Sequence, residues 1–247
     1  MQSYARTRWC AALTAFMMQA VMAQEGGPVQ APAFKLTTGL YQSRGDDPQD
    51  GQAVDINLRH TSAAGNVWFG HYVSWAQELS QERLGWDRTW TQGALRIQPS
   101  AQLASGGAWN GSIGLETGAD WYLGAGLGRT NLRETVNLNF DPNDAYSLSG
   151  GYRWQDGAAL GFVLVRDNRL HPDQQHLHLI WRTPLPDAHR LTLDLLYKRG
   201  LVEDEPIERT GLSLAYDWSR WFVRLSYDPK VNFTPQDMWR LALGTRF

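Results

Sequence analysis

Apolar and polar residues alternate along most of this chain with a period of two. In the segment that runs to Phe247, Trp239, Leu241, Leu243, Thr245 and Phe247 share one face, while Arg240, Ala242, Gly244 and Arg246 share the other. Side chains of a strand point alternately to its two sides, so this is a strand with an apolar face backed by a small and cationic one. The pattern recurs. Leu191, Leu193, Leu195 and Tyr197 form one apolar face, Leu212, Leu214, Tyr216 and Trp218 another, and Trp221, Val223, Leu225 and Tyr227 a third. Leu177, Leu179 and Trp181 repeat it earlier, as do Trp121, Leu123, Ala125 and Leu127. The alternation predicts strands over 33–42, 52–61, 66–76, 82–90, 94–104, 108–117, 120–130, 145–154, 158–167, 175–184, 189–199, 209–218, 221–228 and 238–247. That makes fourteen, with twelve as the alternative if two segments between 82 and 117 are fused. Each has about ten residues, the length a tilted strand needs to cross a bilayer.

The connections add a direction. Gln155-Asp156-Gly157, Pro186-Asp187-Ala188 and Ser219-Arg220 are short, and Asp-Gly is a strong hairpin pair because both residues tolerate positive φ. The segments 131–144, 168–174, 200–208 and 229–237 read as long loops, and Ser105-Gly106-Gly107 as a very short one on the same side. Aromatic residues gather at strand ends: Tyr152, Trp154, Trp218, Trp221 and Phe247 at one end, Tyr146, Tyr197, Tyr227 and Trp239 at the other. Indole and phenol rings suit a membrane–water interface, being part apolar and part polar. A secreted β-sandwich would also alternate, but its core gives no reason for aromatics at both ends.

With these features and the closing Trp239, Leu241, Leu243 and Phe247, the chain resembles bacterial outer-membrane β-barrels. The resemblance is to an architecture and not to a named family. It implies an all-β fold, a transmembrane antiparallel up-and-down β-barrel over 33–247 in the outer membrane of a Gram-negative cell. It also implies short periplasmic turns, longer outer loops, contact with lipid and lipopolysaccharide, and a last strand that the assembly machinery reads at those four residues.

The first residues carry an address. Arg6 and Arg8 precede a mostly apolar run from Cys10 to Val21, and Val21-Met22-Ala23 supplies a small-residue cleavage context. This predicts a secretory signal peptide over 1–23, followed by a flexible lead-in over 24–32. The run is too short, and too broken by Thr14 and Gln19, to span a bilayer. The single cysteine, Cys10, leaves with the signal, which excludes disulfide and thiolate chemistry from the remainder. The full chain holds 23 Lys+Arg and 25 Asp+Glu; without Arg6 and Arg8 the balance is 21 against 25, a net charge of −4. That is not the balance of a nucleic-acid partner.

Face parity sends charge inward. Lys35, Arg59, Arg83, Arg96, Arg153, Arg182, Arg190, Lys198, Arg224, Arg240 and Arg246 face the predicted lumen, with Asp55, Asp87, Glu116, Asp167, Asp194, Asp217 and Asp228. Eleven cations against seven acids leave the lumen at +4. The outer loops hold compensating acids, among them Asp46, Asp47, Asp50, Glu134, Asp141, Asp144, Glu203 and Asp204. A cationic wall concentrates anions, and the arginine fork suits carboxylate and phosphate. The expectation is therefore a porin-like channel for small hydrophilic solutes, preferably anionic or acidic sugars. Its wall would be Arg59, Arg96, Arg153, Arg182, Arg224 and Arg240, with His176 and His178 beside Arg182. The alternative is a barrel whose Arg–Asp pairs lock the interior shut, serving structure or polysaccharide export. Arg190 with Asp194, and Arg224 with Asp228, share faces that would allow such pairing.

Catalysis is the weakest reading. His60-Thr61-Ser62 resembles the His-x-Ser pair of lipid A deacylases, but it lies at a predicted periplasmic turn, away from the outer leaflet. His71 and Ser74 have opposite parity. The glycines of 124–128 and 149–151 lie inside strands, where close packing explains them better than phosphate binding. His176 and His178, two residues apart on one face, would hold a metal only if a third ligand approached. No catalytic residue, metal or cofactor is expected.

Overall fold

A strand in hydrocarbon must satisfy every backbone N–H and C=O within the protein, and a sheet does this only by closing on itself. This chain closes. The computed structural model describes residues 33–45, 51–139 and 141–247, so the predicted signal peptide, the lead-in and Asp46, Asp47 and Asp50 lie outside the described residues. The strands are β1 (Phe34–Arg44), β2 (Gln52–Ser62), β3 (Gly65–Ser74), β4 (Leu79–Asp87), β5 (Trp90–Gln92), β6 (Leu95–Ala104), β7 (Ala108–Gly118) and β8 (Trp121–Thr130). They continue as β9 (Ala145–Arg153), β10 (Ala159–Asp167), β11 (Gln175–Leu185), β12 (His189–Val202), β13 (Glu205–Asp217), β14 (Trp221–Asp228) and β15 (Asp237–Arg246). Neighbours in sequence pair antiparallel, and β1 closes on β15 with Lys35 opposite Arg246 and Leu40 opposite Leu241.

The seam at β4 explains the strand count. β4 pairs with the far half of β6, Asp87 opposite Ser100, and β5 pairs with its near half, Trp90 opposite Ile97. The two are one stave broken at Arg88 and Thr89, and the Arg88 N–H still donates to the Pro99 carbonyl at 3.2 Å. The barrel therefore has fourteen staves, and the twelve-strand alternative is set aside.

One connection differs from expectation. The segment 200–208 is not a long loop, because β12 and β13 run on as a single hairpin whose turn is Glu203-Asp204. Both turn residues take positive φ, 51° and 69°, as a two-residue hairpin turn of this twist requires. The two strands are longer than a bilayer needs, so the hairpin projects beyond the outer rim.

The outer face is the apolar one. Leu123, Leu179, Leu195, Leu212, Leu225 and Leu243 are all exposed. Aromatic rings pair at both ends of this band: Trp121 with Tyr152 (4.8 Å between centroids) and Phe34 with Phe247 (5.7 Å) at the turn end, Tyr227 with Trp239 (4.7 Å) at the loop end. Inside, several rings lie flat on glycines of neighbouring strands. A Cβ at Gly85 would come within 2.2 Å of the Trp68 indole, and one at Gly244 within 2.1 Å of Phe222.

A charge on the lipid face must be desolvated in hydrocarbon. Leu195→Arg is expected to destabilise the barrel by about 2–4 kcal/mol, read by equilibrium unfolding from lipid vesicles. Glu205→Arg, on the projecting hairpin, should leave stability within about 0.5 kcal/mol of the parent.

Candidate functional site

The segment 131–144, expected as a solvent-facing outer loop, turns into the barrel. Asp144 anchors its return at the rim. The Asp144 carboxylate accepts the Thr130 N–H (3.1 Å), the Thr130 hydroxyl (2.5 Å) and an Arg169 guanidinium N–H (3.0 Å). The interior of the loop is then held by groups from distant strands. Val136 N–H donates to Gln81 Oε1 (2.9 Å), and the Leu138 carbonyl accepts from Arg240 Nη1 (2.8 Å). Leu138 is buried with Tyr41, Ala53, Tyr72 and Val231, and Val136, Leu79 and Met238 flank that cluster.

Asp141, also on this loop, is buried. One oxygen of its buried carboxylate lies 2.7 Å from His176 Nδ1 and 3.1 Å from His178 Nε2. His178 Nδ1 in turn meets Asp194 at 3.0 Å. The ligand atoms of Asp141, His176 and His178 all lie within 4.8 Å of one another, an arrangement able to hold a metal ion. Burial opposes ionisation of Asp141, but the adjoining imidazoles outweigh it and hold the carboxyl well below the usual carboxylate range. Asp141 and Asp144 therefore belong to the lumen and its rim, and not to the solvated acids of the outer loops.

A second loop completes the closure. Residues 229–236 include a short 3-10 turn, Val231–Phe233, and Phe233 stacks on His176 at 5.2 Å. Phe233 also packs with Val202 and Ile207 of the projecting hairpin. Asn232 Nδ2 donates to the Asn137 carbonyl at 3.3 Å, joining the two loops. Behind them Lys198, fully buried, pairs with Asp228 at 2.5 Å and donates to the Lys230 carbonyl at 2.9 Å. The outer half of the lumen is thus filled by two loops and a paired polar wall.

The inner half is different. Lys35, Arg59, Arg96, Arg153, Arg182, Arg190, Arg224 and Arg246 lie toward it with the acids Asp87, Glu116 and Asp217, and Asp55 lies on the register line of Arg224. Glu116 takes Arg96 (2.7 Å) and Arg153 (2.8 Å), and Asp217 takes Arg190 (3.3 Å) and Arg246. Arg59 reaches Asp87 at 4.0 Å. Pairing runs between strands, not along them: Arg190 pairs with Asp217 and not Asp194, and Asp228 pairs with Lys198 and not Arg224. Arg224 forms no ion pair among the described residues. Arg153 and Lys35 sit over the inward rings of Tyr122 (3.8 Å) and Phe222 (4.5 Å).

The residues predicted for the wall therefore fall into two groups. Arg59, Arg96, Arg153, Arg182 and Arg224 line the inner half, whereas Arg240, His176 and His178 anchor the loops in the outer half. Asp167, expected to face the lumen, spends one oxygen on the N–H groups of Arg169, Leu170 and His171. Trp239, Leu241, Leu243 and Phe247 are all exposed on the apolar face. The His60–Ser62 pair sits at the β2–β3 turn, where the Ser62 hydroxyl donates to the Gly65 carbonyl (3.2 Å) and accepts the Ala64 N–H (3.2 Å). Sequence reasoning placed aromatics only at the girdles and missed the inward rings of Tyr41, Trp68, Tyr72, Tyr122 and Phe222. Their parity was the available signal, since Tyr122 lies between the outward Trp121 and Leu123, and Phe222 between Trp221 and Val223.

No protein-family model matches the chain, and no curated protein matches it by sequence. Solved structures match its fold. The Acinetobacter baumannii outer-membrane protein Omp33 superposes with a TM-score of 0.56 at 11% identity, covering 88% of this chain and 99% of that one. KdgM porin gives 0.49 at 14% identity, covering 86% and 99%. Salmonella typhi OmpF, in complex with daunomycin, gives 0.46 at 9%, covering 87% and 96%. The chain has the fold of outer-membrane β-barrels, which agrees with the resemblance drawn from its strands.

Asp141→Ala should release 131–144, raising its amide exchange and its cleavage by added protease while the barrel stays heat-modifiable on gels.

Proposed function

We propose that the protein is a channel for small hydrophilic solutes across the outer membrane, with a preference for anions, and that the 131–144 loop closes its outer mouth. The observation that carries this reading is the axial division of charge. The inner half of the lumen carries more cations than acids, and the outer half is closed by a loop held by polar side chains and a small apolar cluster. An excess of fixed positive charge in a confined aqueous space raises the local anion concentration. Arg224 forms no ion pair among the described residues, and a guanidinium fork suits a carboxylate or phosphate.

The same reading includes the route. A signal over 1–23 would export the chain. The assembly machinery would engage Trp239, Leu241, Leu243 and Phe247, and lipid and lipopolysaccharide would surround the barrel. Removing Phe247 should reduce the folded fraction inserted in cells while leaving refolding in detergent close to that of the parent.

A second reading rests on the packed outer half: a barrel that conducts nothing and serves structure or export. Planar-bilayer recording separates the two. The parent should show rare or small openings, and a variant shortened within 133–142 should show frequent, larger ones with an anion-selective reversal potential under a salt gradient. Replacing Arg59, Arg182 and Arg224 together with Gln in the shortened variant should shift that potential toward zero selectivity. A shortened barrel that is folded and silent supports the structural reading, and unchanged selectivity in the triple variant removes the cationic wall.

A further inference from the structure

We propose that Asp141, His176 and His178 form a binding site for a divalent transition-metal ion of the Zn2+ class. The donor set comes from two elements that only the fold brings together. His176 and His178 stand two residues apart on the inward face of β11, and Asp141 arrives from the inward loop 35 residues earlier. The Asp141 oxygen lies 2.7 Å from His176 Nδ1 and 3.1 Å from His178 Nε2, and all three donor atoms fall within 4.8 Å of one another. Two imidazole nitrogens and one carboxylate oxygen make a donor set suited to Zn2+, Cu2+ or Ni2+, whereas Ca2+ and Mg2+ favour oxygen alone.

The surroundings fit the same ion. His178 Nδ1 faces Asp194 at 3.0 Å. A carboxylate in that position accepts the Nδ1–H, fixes the tautomer and turns the Nε2 lone pair toward the Asp141 oxygen. In the metal-free barrel a proton between Nε2 and the Asp141 oxygen fills that 3.1 Å gap, and a metal ion would take its place. Charge agrees: the nearby Lys198 is neutralised by Asp228, which leaves Asp141 and Asp194 to balance a divalent cation. The carboxylate belongs to a loop, so the small spreading from hydrogen-bond to coordination distances falls on the element most able to move. The ion would bolt the loop to the wall. That consequence for conduction rests on the channel reading, but the site itself does not.

The test uses the mature barrel, refolded in detergent, stripped with a chelator and titrated with Zn2+ against a chromophoric competitor. The expected result is one equivalent bound per barrel. His176→Gln and His178→Gln should each weaken binding at least tenfold, Asp194→Asn should weaken it by about tenfold through loss of the orienting bond, and His71→Gln should leave it unchanged. Absence of saturable binding in the parent overturns the proposal, as does unchanged affinity in the His176 and His178 variants. Should those variants fail to fold, Cu2+ bound to the parent decides: its electron paramagnetic resonance should show coupling to two nitrogens, and coupling to none or one overturns the site. Binding is read directly, so a silent barrel that binds Zn2+ refutes the channel and keeps the site, and a conducting barrel that binds none does the reverse.

Discussion

Everything in this molecule follows from the need to pair every strand edge inside a medium that offers no hydrogen bonds. Closure of β1 on β15, and of β4 and β5 on β6, removes the edges and fixes two environments on opposite faces of one sheet. Lipid takes the face of leucines and girdle aromatics. The other face encloses a space too wide for one layer of side chains, since a barrel of fourteen staves is not filled as one of eight strands is. The chain fills it in two ways. Rings laid on glycines thicken the wall, and two loops turn inward from the outer rim.

The charged interior contributes specificity more than stability. Removing an ion pair such as Arg83–Asp55 or Lys198–Asp228 from water costs several kcal/mol per ion, roughly what the pair regains when its geometry is good. The lipid face and the closed hydrogen-bond ladder therefore carry most of the folding energy, and the interior is left to be selected for what passes or binds there. Pairing between strands rather than along one, often across an intervening strand as in Arg83–Asp55, also pins their register, because a slip of one residue would turn every charge toward lipid.

The sheet was legible in the sequence because period-two alternation is a local signal, present within ten residues and repeated fourteen times. What was not legible depends on contacts far apart in the chain. The 131–144 segment has only a three-residue alternation, Val136, Leu138 and Phe140, and Asp141 looks like any solvated loop acid until β11 supplies two imidazoles. That short apolar run was the hint that part of this loop is buried. The 200–208 hairpin was hidden differently. Glu203, Asp204, Glu205 and Glu208 read as a loop, although Gly200, Val202 and Ile207 keep the inward parity through it. Such acids are free to occupy a strand that has left the membrane, where neither face meets hydrocarbon.

On the proposed channel reading, the two roles of Arg240, His176 and His178, loop anchors and wall residues, would belong to two positions of one loop. With 131–144 inside, Arg240 donates to the Leu138 carbonyl and both histidines face Asp141. Withdrawal of the loop would remove one buried acid and return a guanidinium and two imidazoles to the wall, so an opened mouth would also be more cationic. Size and sign of the passage would change together. The anchors suit such a change. They are a few hydrogen bonds, the Asp141 contacts to two histidines and one small apolar cluster, all on a single chain segment, so the loop would leave as a unit while the paired strands around it stay in register.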